Sequence, residues 1–136
     1  MSHFLAAVVD QPGAWALRNV TRGALLASSL EAAFDSETRR RGLLGRRQLA
    51  SGTGLVIAPC SAVHTCFMQF PIDVLFVDRE GTVLKRVDRL HPWRLAGSLR
   101  AFAAVELPAG TVGGSDTTIG DRLIVEPAGE LRSLGG

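Results

Sequence analysis

The chain has 136 residues, of which 46% are hydrophobic and 21% are charged, and its formal net charge is +2. This composition is typical of a globular protein and excludes a disordered one, and the length suits one hydrophobic core, so we expect a single domain over residues 1–136 with a flexible tail at 133–136. The small net charge gives no support for a nucleic-acid partner.

The first elements along the chain are two predicted strands and a predicted helix. Two short apolar runs, Trp15 to Val20 and Leu25 to Leu30, flank a turn that contains a glycine, which predicts an antiparallel hairpin. Asp35 or Ser36 is expected to cap the start of a helix, because a short polar side chain there accepts a hydrogen bond from the first turn. Gly42 is expected to end this helix early.

The rest of the chain predicts further strands joined by short turns. The apolar runs are Leu55 to Ala58, Val63 to Phe70, Ile72 to Asp78, Thr82 to Val87, Phe102 to Leu107 and Leu123 to Val125. The segment Gly110 to Gly120 is expected to be a loop that holds a short helix. Together these elements predict a mainly β, β-rich α+β domain, whose antiparallel sheet curls into a sandwich or a partly closed barrel with one or two short helices.

The longest apolar stretch, residues 54–77, is interrupted by two prolines, a histidine and an aspartate. These residues are incompatible with a membrane-spanning helix, so we expect no membrane partner. The first nine residues show no basic leader or cleavage site, and the expected location is therefore the cytoplasm. In that reducing compartment Cys60 and Cys66 are expected to remain thiols.

The segment from Cys60 to Asp73 gathers a histidine, two thiols, a thioether and a carboxylate. If the segment is an extended strand, His64, Cys66 and Met68 share one face. A histidine beside a carboxylate is a tunable acid or base near neutral pH, so His64 and Asp73 are candidate catalytic residues. The alternative is that both have structural roles, with His64 hydrogen-bonded to backbone and Asp73 fixing a turn.

Two further interpretations use the cysteines. Cys60, His64 and Cys66 have side chains that bind metals, but their spacing matches no common zinc pattern and no fourth ligand is evident. We therefore predict no metal site and no cofactor. Cys66 acting as a nucleophile with His64 as its base stays open, although two residues side by side on one strand face are poorly placed for it.

Arginines crowd the segment after the predicted helix cap, and one carboxylate lies in a predicted strand. The arginines are Arg39, Arg40, Arg41, Arg46 and Arg47. Such a run is usually a solvated helix face, but guanidinium groups also bind oxyanions. Glu106 lies between two apolar residues, and a buried carboxylate without a partner costs roughly a few kcal/mol. We therefore expect Glu106 to face solvent or to have a partner, and an arginine that turns inward to Glu106 or Asp73 is the simplest proposal.

Several motifs occur in a fixed order between Leu30 and Pro127. They are Arg40-Arg41-Gly42-Leu43-Leu44-Gly45-Arg46, Gly54, His64-Thr65 with Met68, Pro71 to Asp78 with Gly81, Val105-Glu106-Leu107-Pro108-Ala109-Gly110, and Gly120-Asp121. In these motifs the chain resembles the family catalogued as domain of unknown function 192. The resemblance implies a small β-rich domain of a kind found in bacteria and archaea, and implies no particular activity. The chain departs from many members of that family around Met68, where Cys66-Phe67 and Gln69-Phe70 replace a tryptophan and a lysine–asparagine pair.

Three functions remain open, and the first is a small-ligand-binding module. A pocket of mixed apolar and polar lining would hold a small polar or anionic ligand. The residues expected to converge on this pocket are His64, Met68, Asp73, Glu106 and Arg40.

The second function is a hydrolase-like or isomerase-like enzyme. It would use His64 as acid or base with Asp73, and it requires His64 and a carboxylate within hydrogen-bond reach in one cleft. The third is a structural protein that docks onto a protein partner or forms a homodimer. The exposed apolar residues expected to carry that contact are Trp93, Leu95 and Leu99.

Overall fold

The computed structural model describes residues 3–11 and 13–128, so the predicted tail at 133–136 lies outside the described residues. The described part contains three short helices and nine strands. They are α1 (Ala6–Asp10), β1 (Trp15–Asn19), β2 (Ala24–Ala33), α2 (Ser36–Arg41), β3 (Thr53–Ile57), β4 (Ala62–His64), β5 (Ile72–Val77), β6 (Val83–Leu90), β7 (Leu95–Gly97), β8 (Ala103–Pro108), α3 (Thr111–Gly114) and β9 (Leu123–Pro127). None of the helices in this part is long and apolar enough to cross a membrane.

Seven of the strands form one curled sheet in the order β6-β5-β8-β3-β2-β1-β9. Its edge strands approach each other at one end, where Thr82 bridges Arg122 and the Val83 N–H donates to the Asp121 carbonyl at 2.8 Å. The partly closed barrel predicted from the sequence is therefore confirmed. Gly81 makes this closure possible, because its φ is +87° and a Cβ there would lie only 2.3 Å from the Leu123 carbonyl oxygen.

One strand pair departs from the antiparallel sheet that the sequence predicts. Strands β2 and β3 are parallel, while the other neighbouring pairs of this sheet are antiparallel. The cause is the connection through α2, since a helical crossover carries the chain back to the starting end of the sheet, as parallel pairing requires. This crossover places α2 and the residues after it beside the central strands.

Side chains of the central strands alternate between two hydrophobic clusters, as the two-residue period of a strand requires. On β5, Leu75 and Val77 belong to an inner cluster inside the half-barrel, which gathers residues from all round the sheet. Ile72, Val74 and Phe76 belong to an outer cluster over β3, β5 and β8. The outer cluster is covered by Val63 of the two-stranded β4–β7 sheet and by Leu43 after α2.

The predicted start and end of α2 are confirmed, whereas the prediction of a long strand at Val63 to Phe70 is wrong. The Asp35 side chain accepts a hydrogen bond from the Thr38 N–H at 2.8 Å, and α2 ends at Gly42. In contrast, β4 ends at His64. The chain then turns, with Phe67 at a φ of +67°. His64, Cys66 and Met68 consequently do not share one strand face.

Candidate functional site

A cavity of about 200 Å³ lies against the outer face of the central strands. Its lining includes Ile57 of β3, Glu106 of β8, Gly42, His64 and Met68. The three arginines at the end of α2 also line it. We call this space the Glu106 cavity. It depends on long-range packing, because β3, β8, α2 and the segment around β4 all contribute to it.

Glu106 is a carboxylate among apolar neighbours. It pairs across the sheet with Leu55 of β3 and Val74 of β5, and its side chain is on the same face as theirs. Only 3% of its surface is exposed, and its Oε1 atom has no hydrogen-bond partner among the described residues. Burial raises the pKa of Glu106 from 4.5 to about 7, against the opposing attraction of Arg46. The carboxyl group is thus close to its titration point at neutral pH.

Gly42 brings the backbone close to this carboxyl group. Its φ is +49°, and a Cβ there would lie 3.9 Å from Glu106 Oε1, with Ile57 equally close. Sequence reasoning used Gly42 only as the end of α2. The signal that could have identified it is its place inside the arginine motif, directly after the residues expected to bind an anion.

The arginines near the cavity differ in their partners. Arg46 makes a two-pronged ion pair with Glu31, with both N–O distances 2.9 Å, and Arg39 donates to the Pro59 carbonyl at 3.1 Å. In the part of the chain that the structure describes, the guanidinium groups of Arg40 and Arg41 have no such partner, and no arginine pairs with Glu106 or Asp73. The inward-turned arginine expected from the sequence is therefore corrected: Arg46, whose charge lowers the pKa of Glu106, is instead paired with Glu31.

His64, Met68 and Cys60 also line the cavity. His64 is exposed and pairs in register with Leu95 of β7, whereas Met68 is buried. Both cysteines are free thiols, and burial raises the pKa of Cys60, whose Sγ donates to the Ala62 carbonyl. Cys66 is not part of the lining. Within residues 3–11 and 13–128, no group of three or more His, Cys, Asp or Glu side chains is placed to hold one metal ion.

Asp73 lies on the other face of the sheet, away from the cavity in which the sequence analysis expected it. It pairs in register with Leu107, whose side chain belongs to the inner cluster. Its carboxylate accepts three backbone N–H groups, those of Arg89 at 2.9 Å, Gly110 at 3.0 Å and Val112 at 2.9 Å. His64 and Asp73 are thus on opposite faces, and four of the five predicted pocket residues line the Glu106 cavity.

Apolar side chains are also exposed beside β4 and β7. Trp93, Leu95 and Leu99, which were expected at a partner contact, are 57%, 77% and 101% exposed. Phe67 is 73% exposed and its ring centroid lies 4.6 Å from that of Trp93. Sequence reasoning missed Phe67, because its position follows from the turn after His64 rather than from a strand pattern.

The solved structures similar to this chain include the following two. One is a candidate transcription regulator from Sinorhizobium meliloti 1021, with a TM-score of 0.70 and 25% identity, covering 83% of this chain and 95% of the other. The other is a protein of unknown function from Novosphingobium aromaticivorans DSM 12444, with a TM-score of 0.70 and 19% identity, covering 81% and 82%. No curated protein matches. The model of the DUF192 family, described as Uncharacterized ACR, matches residues 17–125, and the chain therefore belongs to this family.

Proposed function

We propose that the protein is a small-ligand-binding module whose site is the Glu106 cavity. The observation that carries this proposal is the unpartnered Oε1 of Glu106, a buried polar atom that lines a cavity open to solvent. Leaving such a group without a partner costs roughly 1–3 kcal/mol or more, whereas an apolar residue among Leu55 and Val74 would avoid this cost. A ligand that donates a hydrogen bond to Glu106 would account for a carboxylate at this position.

The rest of the lining fits this role. Small-molecule sites combine apolar walls with a few convergent polar groups. In this cavity Ile57, Leu43 and Met68 are apolar, while Glu106 and Arg40 supply charge. A volume of about 200 Å³ lies below the roughly 300–1,000 Å³ of sites for drug-sized ligands, so the cavity suits a small ligand.

An enzyme that relies on His64 and Asp73 has less support. All three hydrogen bonds to the Asp73 carboxylate come from backbone groups, and the residue is on the face opposite His64. An acid–base pair of His64 and Glu106 is the second candidate, because both residues line the same cavity. The enzyme and the binding module differ in the fate of a bound compound, since an enzyme would convert it while a binding module would leave it unchanged.

Met68 offers a direct reporter for ligand binding. The sequence contains only two methionines, so methyl-labelled methionine gives one NMR signal from inside the cavity and at most one from Met1. We expect a mixture of small polar metabolites to contain a compound that shifts the Met68 signal in a saturable manner. The double variant Arg40→Ala with Glu106→Gln should weaken that binding at least tenfold.

The matched control is Arg47→Ala, which removes an exposed arginine outside the cavity and should leave the affinity unchanged. A saturable shift of equal strength in the double variant would contradict the site. The absence of any shift across a broad library at millimolar concentration would contradict the binding function itself.

A further inference from the structure

The lining of the Glu106 cavity carries both signs of charge. Among the described residues, Glu106 is the only acidic one in this lining, and it is buried on β8. Arg40 and Arg41 are exposed at the α2 side, and their guanidinium groups have no partner among the described residues. A guanidinium fork is suited to a carboxylate or another oxyanion. The cavity lining therefore offers one buried acidic group and two exposed basic groups.

Glu106 and the two arginines each have unused hydrogen-bonding capacity that suits a group of opposite charge. An ionised Glu106 accepts hydrogen bonds but cannot donate one, so a cationic donor at Oε1 would turn an isolated buried charge into a pair. The apolar part of the lining includes Ile57, Leu43 and Leu44. These side chains suit the methylene groups that would join the two charged ends of one molecule.

From this arrangement, and resting on the binding function proposed above, we propose that the ligand is a small zwitterion. Its ammonium group pairs with Glu106, and its carboxylate pairs with Arg40 and Arg41. The chemical class is therefore a small amino carboxylate.

This arrangement couples binding to the protonation of Glu106. Burial holds the pKa of Glu106 at about 7, so a ligand that needs the ionised form must first displace a proton below that pH. Other titratable or charged groups face the same space from α2, from the segment after it, and from the residues at and before β4. They are Arg39, Arg40, Arg41, Arg46, Cys60 and His64.

The test uses the full chain with labelled Met68 and a matched set of probes. Glycine, β-alanine and 4-aminobutanoate present the same two ends at three spacings, while butanoate and propylamine each lack one end of 4-aminobutanoate. We expect one zwitterion to bind at least tenfold tighter than butanoate and propylamine. Its affinity should rise about tenfold between pH 6 and pH 8, as Glu106 with a pKa of about 7 becomes ionised.

Two variants test whether Glu106 is the group that pairs with the ammonium group and that titrates. Glu106→Gln should weaken the zwitterion at least tenfold and abolish the pH dependence, while a normal urea unfolding curve shows that the variant is folded. His64→Gln should keep the pH dependence, because the titrating group is Glu106. If His64→Gln removes the pH dependence instead, Glu106 is not the proton-linked group and the inference fails.

An anionic ligand without an ammonium group would give a different pH dependence. Butanoate that binds as tightly as 4-aminobutanoate, with an affinity that falls as pH rises, would mean that Glu106 donates as a neutral acid to an anion. That result, or a library compound that needs Glu106 but has no ammonium group, would overturn the zwitterion while leaving the binding function intact. Failure of both the probes and the library to shift Met68 would overturn both proposals.

Discussion

Asp73 and Glu106 are buried carboxylates on adjacent strands that face opposite sides of one sheet. Asp73 accepts three backbone N–H groups, while Glu106 has an oxygen with no partner among the described residues. Both side chains are less than 4% exposed. The difference teaches that burial alone does not show whether a carboxylate stabilises the fold, and that the supply of hydrogen-bond donors does.

The donors to Asp73 come from two segments that it holds in place. Arg89 lies at an irregularity of β6 with a φ of +51°, and Gly110 and Val112 lie at the start of α3. Without the carboxylate, three N–H groups would lose their acceptor at once. Glu106 has no comparable role, because its cross-strand neighbours Leu55 and Val74 are apolar. Asp73 thus stabilises the fold, whereas burial of the Glu106 carboxylate without a partner opposes folding.

The largest effect that this comparison predicts is the loss of stability in Asp73→Ala. Removal of the carboxylate leaves three N–H groups without an acceptor, so we expect the free energy of unfolding to fall by about 3–5 kcal/mol at pH 7. Urea denaturation of wild type and variant measures this change. Asp88→Ala, which removes only an exposed partner of Arg86, is the control and should cost less than about 1 kcal/mol. Equal costs for the two variants would contradict the structural role of Asp73.

For Glu106→Gln we predict a smaller change in the free energy of unfolding, which is an increase rather than a decrease. The pKa of Glu106 is raised to about 7 in the folded chain, against an ordinary value of 4.5. The stability linked to this proton is therefore fully present below pH 4.5 and is lost as the pH rises to about 7. The variant cannot ionise, so its free energy of unfolding should exceed that of wild type by about 3 kcal/mol at pH 8 and by little at pH 4.5.

Urea unfolding of both proteins at several pH values between 4.5 and 8 measures this difference. Only the difference between the two proteins is compared, since other titrating groups affect both alike. A variant that is less stable than wild type at pH 8 would mean that Glu106 has a stabilising partner in solution. In that case the contrast with Asp73 would fail.

Sequence reasoning predicted the β-rich fold because its signals are local. A hairpin such as 15–30 depends on its turn glycine and flanking apolar runs, and the start of α2 depends on Asp35 capping Thr38 three residues later. The prediction of a long strand at 63–70 was wrong because the position with positive φ is Phe67, and not a glycine that would indicate a turn in the sequence. The parallel β2–β3 pair was missed because it depends on where a crossover returns the chain.

The sequence predicts the types of residue at the candidate site, but not which of these residues lie together in the fold. Asp73 and Glu106 look alike in sequence, since each is an acid inside an apolar strand. The donors that distinguish them come from far along the chain: those of Asp73 are 16, 37 and 39 residues away. Periodicity assigns a face only once the strand partners are known, and one residue decides whether a side chain lies inside the barrel or outside it.

The smallest predicted effect concerns Arg46, which links the protein surface to Glu106. Its guanidinium pairs with the exposed Glu31 and also lowers the pKa of Glu106 across the space between them. Because surface pairs contribute little, Arg46→Gln should change the free energy of unfolding by less than about 1 kcal/mol. Loss of the positive charge should nevertheless raise the pKa of Glu106, which a carbon-13 NMR titration of its carboxyl group measures.

Arg47→Gln is the matched control for this variant, because it removes the neighbouring arginine, which is exposed and outside the cavity. Its effect on the pKa of Glu106 should be smaller than that of Arg46→Gln, and equal effects would mean that Glu106 responds to net charge alone. A pKa that falls in Arg46→Gln would contradict the arrangement at the cavity. A pKa that rises in that variant alone would show that one ordered arginine tunes the carboxylate, so that the pH at which a zwitterion binds should rise with it.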